Sequence, residues 1–207
     1  MADLDDLDFS NDEVVELAHE FAVDLNCVVV ANHRFALEGI TRAEDEEILQ
    51  WQDALALQDS QVALSAISHV QNGYEELRRA ANRLALVGLV TRLQHWIARF
   101  IKEQGLKSGK VHESLLINQF DVLNTSLGDG PVPLSYFEDL VNLRDSIIHA
   151  DSRAEWKYRG ASRQVADHHR NPWGEVEFSE EQLKDAIEQA TRQVTWYDEK
   201  LHPQRAA

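Results

Sequence analysis

The sequence has one cysteine, four prolines and one methionine among its 207 residues. One cysteine cannot form an internal disulfide, which predicts a reducing, cytoplasmic compartment. Cys27 stands in the apolar run Cys27-Val28-Val29-Val30 and is predicted to be a buried thiol. No apolar run approaches the roughly 20 residues of a membrane-spanning helix. The first residues lack the basic and apolar regions of a signal peptide. The sequence therefore predicts a soluble chain that makes no membrane contact.

Basic residues are also scarce, with 20 Lys and Arg against 36 Asp and Glu and a net charge of −16. This balance argues against a general nucleic-acid coat protein, because phosphate binding needs a cationic surface. Residues 1–20 carry eight carboxylates and no Lys or Arg, so residues 1–10 are predicted to form an acidic tail before one domain over 11–207. A basic cluster follows in the second half: Arg153, Lys157, Arg159, Arg163 and Arg170. The two charged regions indicate a partner, self-association or autoinhibition, or else an ordinary solvated surface.

Proline is absent before Pro131, which permits long helices. Apolar periodicity and capping residues predict helices over about 11–37, 42–70, 74–103, 111–127, 135–149 and 180–200. Residues 151–178 have no helical period, and 156–158 and 176–178 are predicted to pair as two short strands. The predicted fold is all-α, an up-and-down bundle of five or six helices with a small irregular or β-hairpin insertion at about 151–178.

The helix that ends near residue 149 has an arginine, Arg144, in the middle of its apolar stripe. An unpaired buried guanidinium is costly, so Arg144 is expected to meet an anionic partner or to lie at a cleft or subunit seam. Asp145 and His149 are four residues apart and can hydrogen-bond. Arg144 and His149 lie about 140° apart on a straight helix. Either the helix ends at Ile148 and frees His149, or two copies pair across a two-fold axis.

The segment Arg144-Asp145-Ser146-Ile147-Ile148-His149 resembles the signature of the HEPN superfamily. That signature is an arginine, an adjacent polar residue, and a histidine after four to six residues, late in a helical bundle. The resemblance covers the motif and the helical layout of about residues 74–200. It implies a helical bundle that forms a homodimer and, in active members, cuts RNA without a metal or cofactor. Many members are toxins or anti-phage effectors. One toxin subgroup has a tyrosine where this chain has Asp151, which argues against that subgroup.

On this resemblance, the expected function is a metal-independent endoribonuclease with a regulatory protein partner. Arg144 would hold the phosphate, His149 would act as general base or acid, and Asp145 would orient them. The RNA backbone would follow Lys157, Arg159 and Arg163. The alternative is a non-catalytic helical protein–protein interaction module, in which an Arg144–Asp145 pair only stabilises the bundle.

Weaker alternatives involve histidines and aromatic residues. A metal cluster could be assembled from four side chains: His149, Asp151, His168 and His169. His95 is predicted to be a core histidine, because its helix is apolar almost all round. Three aromatic residues lie among the cations of the insertion: Trp156, Tyr158 and Trp173. They are predicted to pack over a small core rather than to stack on RNA bases.

Overall fold

The computed structural model describes residues 17–55, 60–106, 116–158 and 161–202. These residues form an all-α bundle with one small β-hairpin, as predicted. The helices are α1 (Leu17–Leu25), α2 (Ala31–Leu55), α3 (Ser60–Glu103), α4 (Leu116–Leu127), α5 (Leu134–His149) and α6 (Glu180–Leu201). One π-helical turn, Asn26–Val30, joins α1 to α2 without a break. The strands are β1 (Glu155–Tyr158) and β2 (Ala161–Gln164).

The predicted helix ends in the first hundred residues are wrong. The chain is helical through Gly39, where a break was predicted, and α3 runs through Gly73. A Cβ at either glycine would meet nothing within 4 Å, so neither glycine marks a close approach. Glycine inside a helix costs only about 1 kcal/mol relative to alanine, which helix–helix packing offsets here. The predictions for α5 and α6 agree with the structure to within one residue.

The hydrophobic core lies between α1, the second half of α3, α4, α5 and α6. Its largest fully buried side chains include Phe21, Phe100, Phe120, Phe137 and Tyr197. The rings of Phe120 and Phe137 stack at a centroid distance of 4.4 Å and hold α4 against α5. This packing sets α5 against α3 and α4, with one face against the core.

α2 and the first half of α3 form a helical hairpin, which we call the arm (residues 31–84). None of the described hydrophobic side chains of the arm is buried. Its two helices meet along a mostly polar seam. In that seam His33 Nε2 lies 2.7 Å from Asn82 Oδ1, and the Tyr74 hydroxyl donates to Glu47 at 2.9 Å. The arm therefore has no apolar core of its own among the described residues.

The insertion after α5 begins with an antiparallel hairpin in which Trp156 pairs with Arg163 and Lys157 pairs with Ser162. The prediction of a strand at 156–158 is confirmed. Its predicted partner, 176–178, is wrong, because Val176 forms only an isolated bridge with Arg170. Val176 and Phe178 are buried and serve as core residues under the insertion.

Across the described residues, no helix is long and apolar enough to cross a membrane.

Candidate functional site

Arg144 lies on α5 at the edge of the core, as the periodicity predicted. Phe137, Leu140 and Val141 of the same helix are buried. The Arg144 side chain is only 13% exposed. A long cationic side chain this enclosed has lost most of its hydration, so it needs compensation from anionic groups.

Asp145 supplies part of that compensation. Its Oδ1 atom lies 2.7 Å from Arg144 Nε. The Arg144 N–H does not point along this line, however, and the Nε atom is shielded from solvent without a hydrogen-bond partner. The Asp145 carboxylate therefore reduces the local positive charge of Arg144.

His149 is the last residue of α5 and is exposed. The helix does not end at Ile148, so the first of the two arrangements expected for His149 is wrong. Arg144 and His149 stay on one regular helix, and their directions differ by about 140°. Within one chain, α5 therefore presents the guanidinium and the imidazole on different faces.

The residue between them, Ser146, ties the end of α5 to the insertion, a role that sequence reasoning missed. Its Oγ donates a hydrogen bond of 2.6 Å to the carbonyl of Arg153. Its own carbonyl accepts from the backbone N–H of Ala150 and of Ser152. The turn between them passes through Asp151 and Ser152, both with positive φ (52° and 59°). Two successive non-glycine residues in this region are rare.

The cations predicted to follow RNA do not share one face of the hairpin. Lys157 and Arg163 are exposed, but Lys157 lies opposite Ser162 while Arg163 lies opposite Trp156. Successive residues of a strand point to opposite faces, so Lys157 and Arg163 lie on opposite sides. Arg159 lies outside the described residues.

His169 is a buried group whose environment sequence reasoning missed, because residues 151–178 have no helical period from which burial could be predicted. It is 6% exposed and packs on His168 and Phe178, with ring centroids 4.0 and 5.8 Å away. Burial, with a smaller contribution from the charge of His168, lowers the pKa of His169 to about 4. Gln182 accepts the Ser179 N–H through Oε1, so its Nε2 faces His169 Nδ1 at 3.3 Å. This arrangement favours a neutral ring with the proton on Nε2.

Three other single-residue predictions are wrong. Cys27 is exposed, because only Val29 of its apolar run is buried in the π-helical turn. His95 is exposed on α3 rather than buried in the core. Trp173 is 79% exposed at the tip of a turn. The Oδ1 atom of Asn171 fixes that turn by accepting the N–H groups of Trp173 and Glu175.

Trp156, in contrast, is partly buried against the core, as predicted, with its Nε1 shielded and unpartnered.

The metal cluster considered for His149, Asp151, His168 and His169 is not assembled. In the described part of the chain, no three His, Cys, Asp or Glu side chains are grouped so that they could hold a metal ion.

These features define the class of the protein as an all-α bundle in which one core helix, α5, ends in the segment Arg144 to His149 and is tied to a β-hairpin insertion. No family model, no curated protein and no solved structure matches the chain.

Proposed function

We propose that this protein is a metal-independent endoribonuclease of the HEPN type, with Arg144, Asp145 and His149 as its site. One observation carries the proposal: Arg144 is a cation at the edge of the core, with a side chain only 13% exposed and Asp145 Oδ1 2.7 Å from its Nε. Enclosing a cation in this way has a desolvation cost that one carboxylate only partly offsets. A phosphate in contact with the exposed part of the side chain would add charge compensation and would match the planar fork of the guanidinium.

In the proposed reaction, the 2′-hydroxyl of RNA attacks the adjacent phosphorus. The new P–O2′ bond forms as the P–O5′ bond breaks, which leaves a 2′,3′-cyclic phosphate and a 5′-hydroxyl. A neutral His149 takes the 2′-hydroxyl proton while water protonates the leaving O5′, or a protonated His149 gives a proton to O5′ while water takes the proton of the 2′-hydroxyl. Arg144 stabilises the negative charge that develops on the phosphoryl oxygens. DNA lacks the attacking hydroxyl, so the reaction is specific for RNA.

The directions of the two side chains support a site made by two copies of the chain. One α5 helix points Arg144 and His149 about 140° apart. A two-fold axis would bring Arg144 of one copy and His149 of the other to the same phosphodiester. A regulatory protein that covers this seam would then hold the enzyme inactive.

The test is incubation of the purified full chain with RNA and a chelator. We compare wild type with Arg144→Ala and His149→Ala, and with His95→Ala as a matched control, since His95 is also exposed on a helix. Cleavage by wild type and His95→Ala, and its loss in the other two, supports the proposal. Equal cleavage by all four proteins, or none by wild type, contradicts it.

A second candidate function, a non-catalytic interaction module, is favoured by a different observation. In the part of the chain that the structure describes, nine large hydrophobic side chains are exposed, and seven of them lie on the arm. Apolar surface concentrated in this way is typical of a protein–protein contact. Failure of wild type to cleave RNA, together with binding through the arm, would favour this function.

A further inference from the structure

The 44-residue helix α3 carries two separate stripes of residues spaced three and four apart. The first faces α2, and all its members are half-buried: Ile67, Val70, Tyr74, Arg78 and Ala81. We call the second the α3 stripe: Val62, Ala66, His69, Gly73, Leu77, Ala80, Leu84, Val87 and Thr91. Such spacing is the pattern by which one helix packs along another.

The α3 stripe is not covered by any described part of the chain. Val62, Leu77 and Leu84 are 64%, 51% and 70% exposed, and none of the nine residues is buried. The stripe spans about 44 Å at the usual helical rise. The arm it belongs to has no buried hydrophobic side chain among those described, so it gains little from its own packing.

We infer that the α3 stripe is an interface with a second copy of this chain, in which two α3 helices pair antiparallel. The interface is separate from the α5 site of the proposed nuclease and does not rest on it.

Matching of large with small side chains selects one alignment of the two α3 helices. When Leu84 of one chain lies over Gly73 of the other, Leu77 of the first chain lies over Ala80 of the second. Each large side chain then meets a small one. A Cβ added at Gly73 would meet nothing within 4 Å, so Leu84 of the second chain has room there. Knobs packed into holes of matching size are what a stable helix pair requires.

Charge complementarity selects the antiparallel direction. Glu76 and Arg83 flank the stripe on the same side, seven residues apart. In the antiparallel register each Glu76 lies beside Arg83 of the other copy, so the two-fold symmetry gives two identical pairs. In a parallel pair Glu76 would instead face Ala81.

The first test measures the mass of the full-length chain in solution by light scattering. Leu84→Arg places a charge in the stripe, whereas Leu64→Arg is a matched control on the same helix. Leu64 is 66% exposed but outside the stripe. We expect the wild-type mass to be halved by Leu84→Arg and unchanged by Leu64→Arg, with unchanged helical content by circular dichroism. A monomeric wild type, or equal masses in all three proteins, overturns the inference.

The second test fixes the direction of pairing by disulfide formation in a Cys27→Ser background. Chains with Gly73→Cys are mixed with chains carrying Leu84→Cys and then oxidised. The antiparallel register predicts a disulfide between unlike chains, because the two positions face each other. In a parallel pair they would be about 16 Å apart along the axis, which no disulfide can span. Absence of the mixed product overturns the antiparallel pairing.

The nuclease proposal and the α3 interface can be tested independently of each other. His149→Ala should abolish RNA cleavage without changing the mass, because His149 is on α5. Halving of the mass by Leu84→Arg supports the α3 interface whether or not wild type cuts RNA. Cleavage by a wild-type chain that is monomeric would overturn both the α3 interface and the two-copy α5 site, whereas an RNA-cleaving dimer whose mass Leu84→Arg leaves unchanged would overturn the α3 interface alone.

Discussion

The Oγ atom of Ser146 donates a 2.6 Å hydrogen bond to the carbonyl oxygen of Arg153 and thereby joins the end of α5 to the start of the insertion. The bond closes a turn that contains two residues of positive φ, Asp151 and Ser152. Strained backbone of this kind persists only where the surrounding structure holds it. Ser146 therefore fixes the path of the chain where it leaves α5 after His149.

Ser146→Ala should lower the free energy of unfolding by about 1–2 kcal/mol, because the buried Ser146 loses its part-buried hydrogen bond to the Arg153 carbonyl. Urea denaturation measures the change. Ser162→Ala is the control, since Ser162 is exposed on β2 and should have little effect. An equal effect of both substitutions would show that the Ser146 bond contributes nothing particular.

The buried His169 should make stability depend on pH. Its pKa is lowered to about 4 in the folded state, below the ordinary value of 6.5, so the unfolded chain binds the proton more readily. The stabilisation is complete above about pH 6.5 and is lost as the pH falls towards 4, by up to about 3 kcal/mol.

Urea denaturation of wild type and His169→Gln at pH 7.5 and pH 5 measures this effect. Wild type should lose more stability between the two pH values than the variant, which has no titrating group at this position. The same loss in both proteins would mean that His169 does not titrate in this range.

The double variant Arg144→Met, Asp145→Asn separates a binding role of Arg144 from a structural one. Replacing both members of a buried ion pair by neutral side chains of similar volume is often neutral or stabilising, whereas removing one member leaves the other charge uncompensated. We expect the free energy of unfolding to change by less than about 1 kcal/mol while RNA cleavage is lost. A large loss of stability would instead identify the Arg144–Asp145 pair as a support of the bundle, as in a non-catalytic module.

Mixing inactive chains tests whether two copies share one site. Arg144→Ala and His149→Ala are each expected to be inactive alone. If Arg144 and His149 act from different chains, a mixed pair keeps one intact site, and random pairing restores about a quarter of the wild-type rate. No recovery after unfolding and refolding the mixture would place both groups in one chain or in none.

Periodicity along one helix was enough to predict the burial of Arg144, because position on a helix face follows from residue spacing alone. The capping box of α6 was also predicted correctly, since Ser179 and Gln182 are three residues apart in the sequence. Both features depend only on near neighbours in the chain.

The burial of His169 and the exposure of Cys27 could not be predicted in this way. Phe178 and Gln182 reach His169 from the end of the insertion and from α6, nine and thirteen residues along the chain. α2 also continues through Gly39 to Leu55, since packing of α2 on α3 outweighs the weak preference of one glycine.

The most direct test of the central claim is a DNA oligonucleotide with a single ribonucleotide, incubated with a chelator and the wild-type chain. We expect one cut, on the 3′ side of the ribonucleotide, and a 2′,3′-cyclic phosphate at the new end. We expect no cut with His149→Ala. Cutting at deoxynucleotide positions, cutting after 2′-O-methylation, or an equal cut by His149→Ala would contradict the central claim.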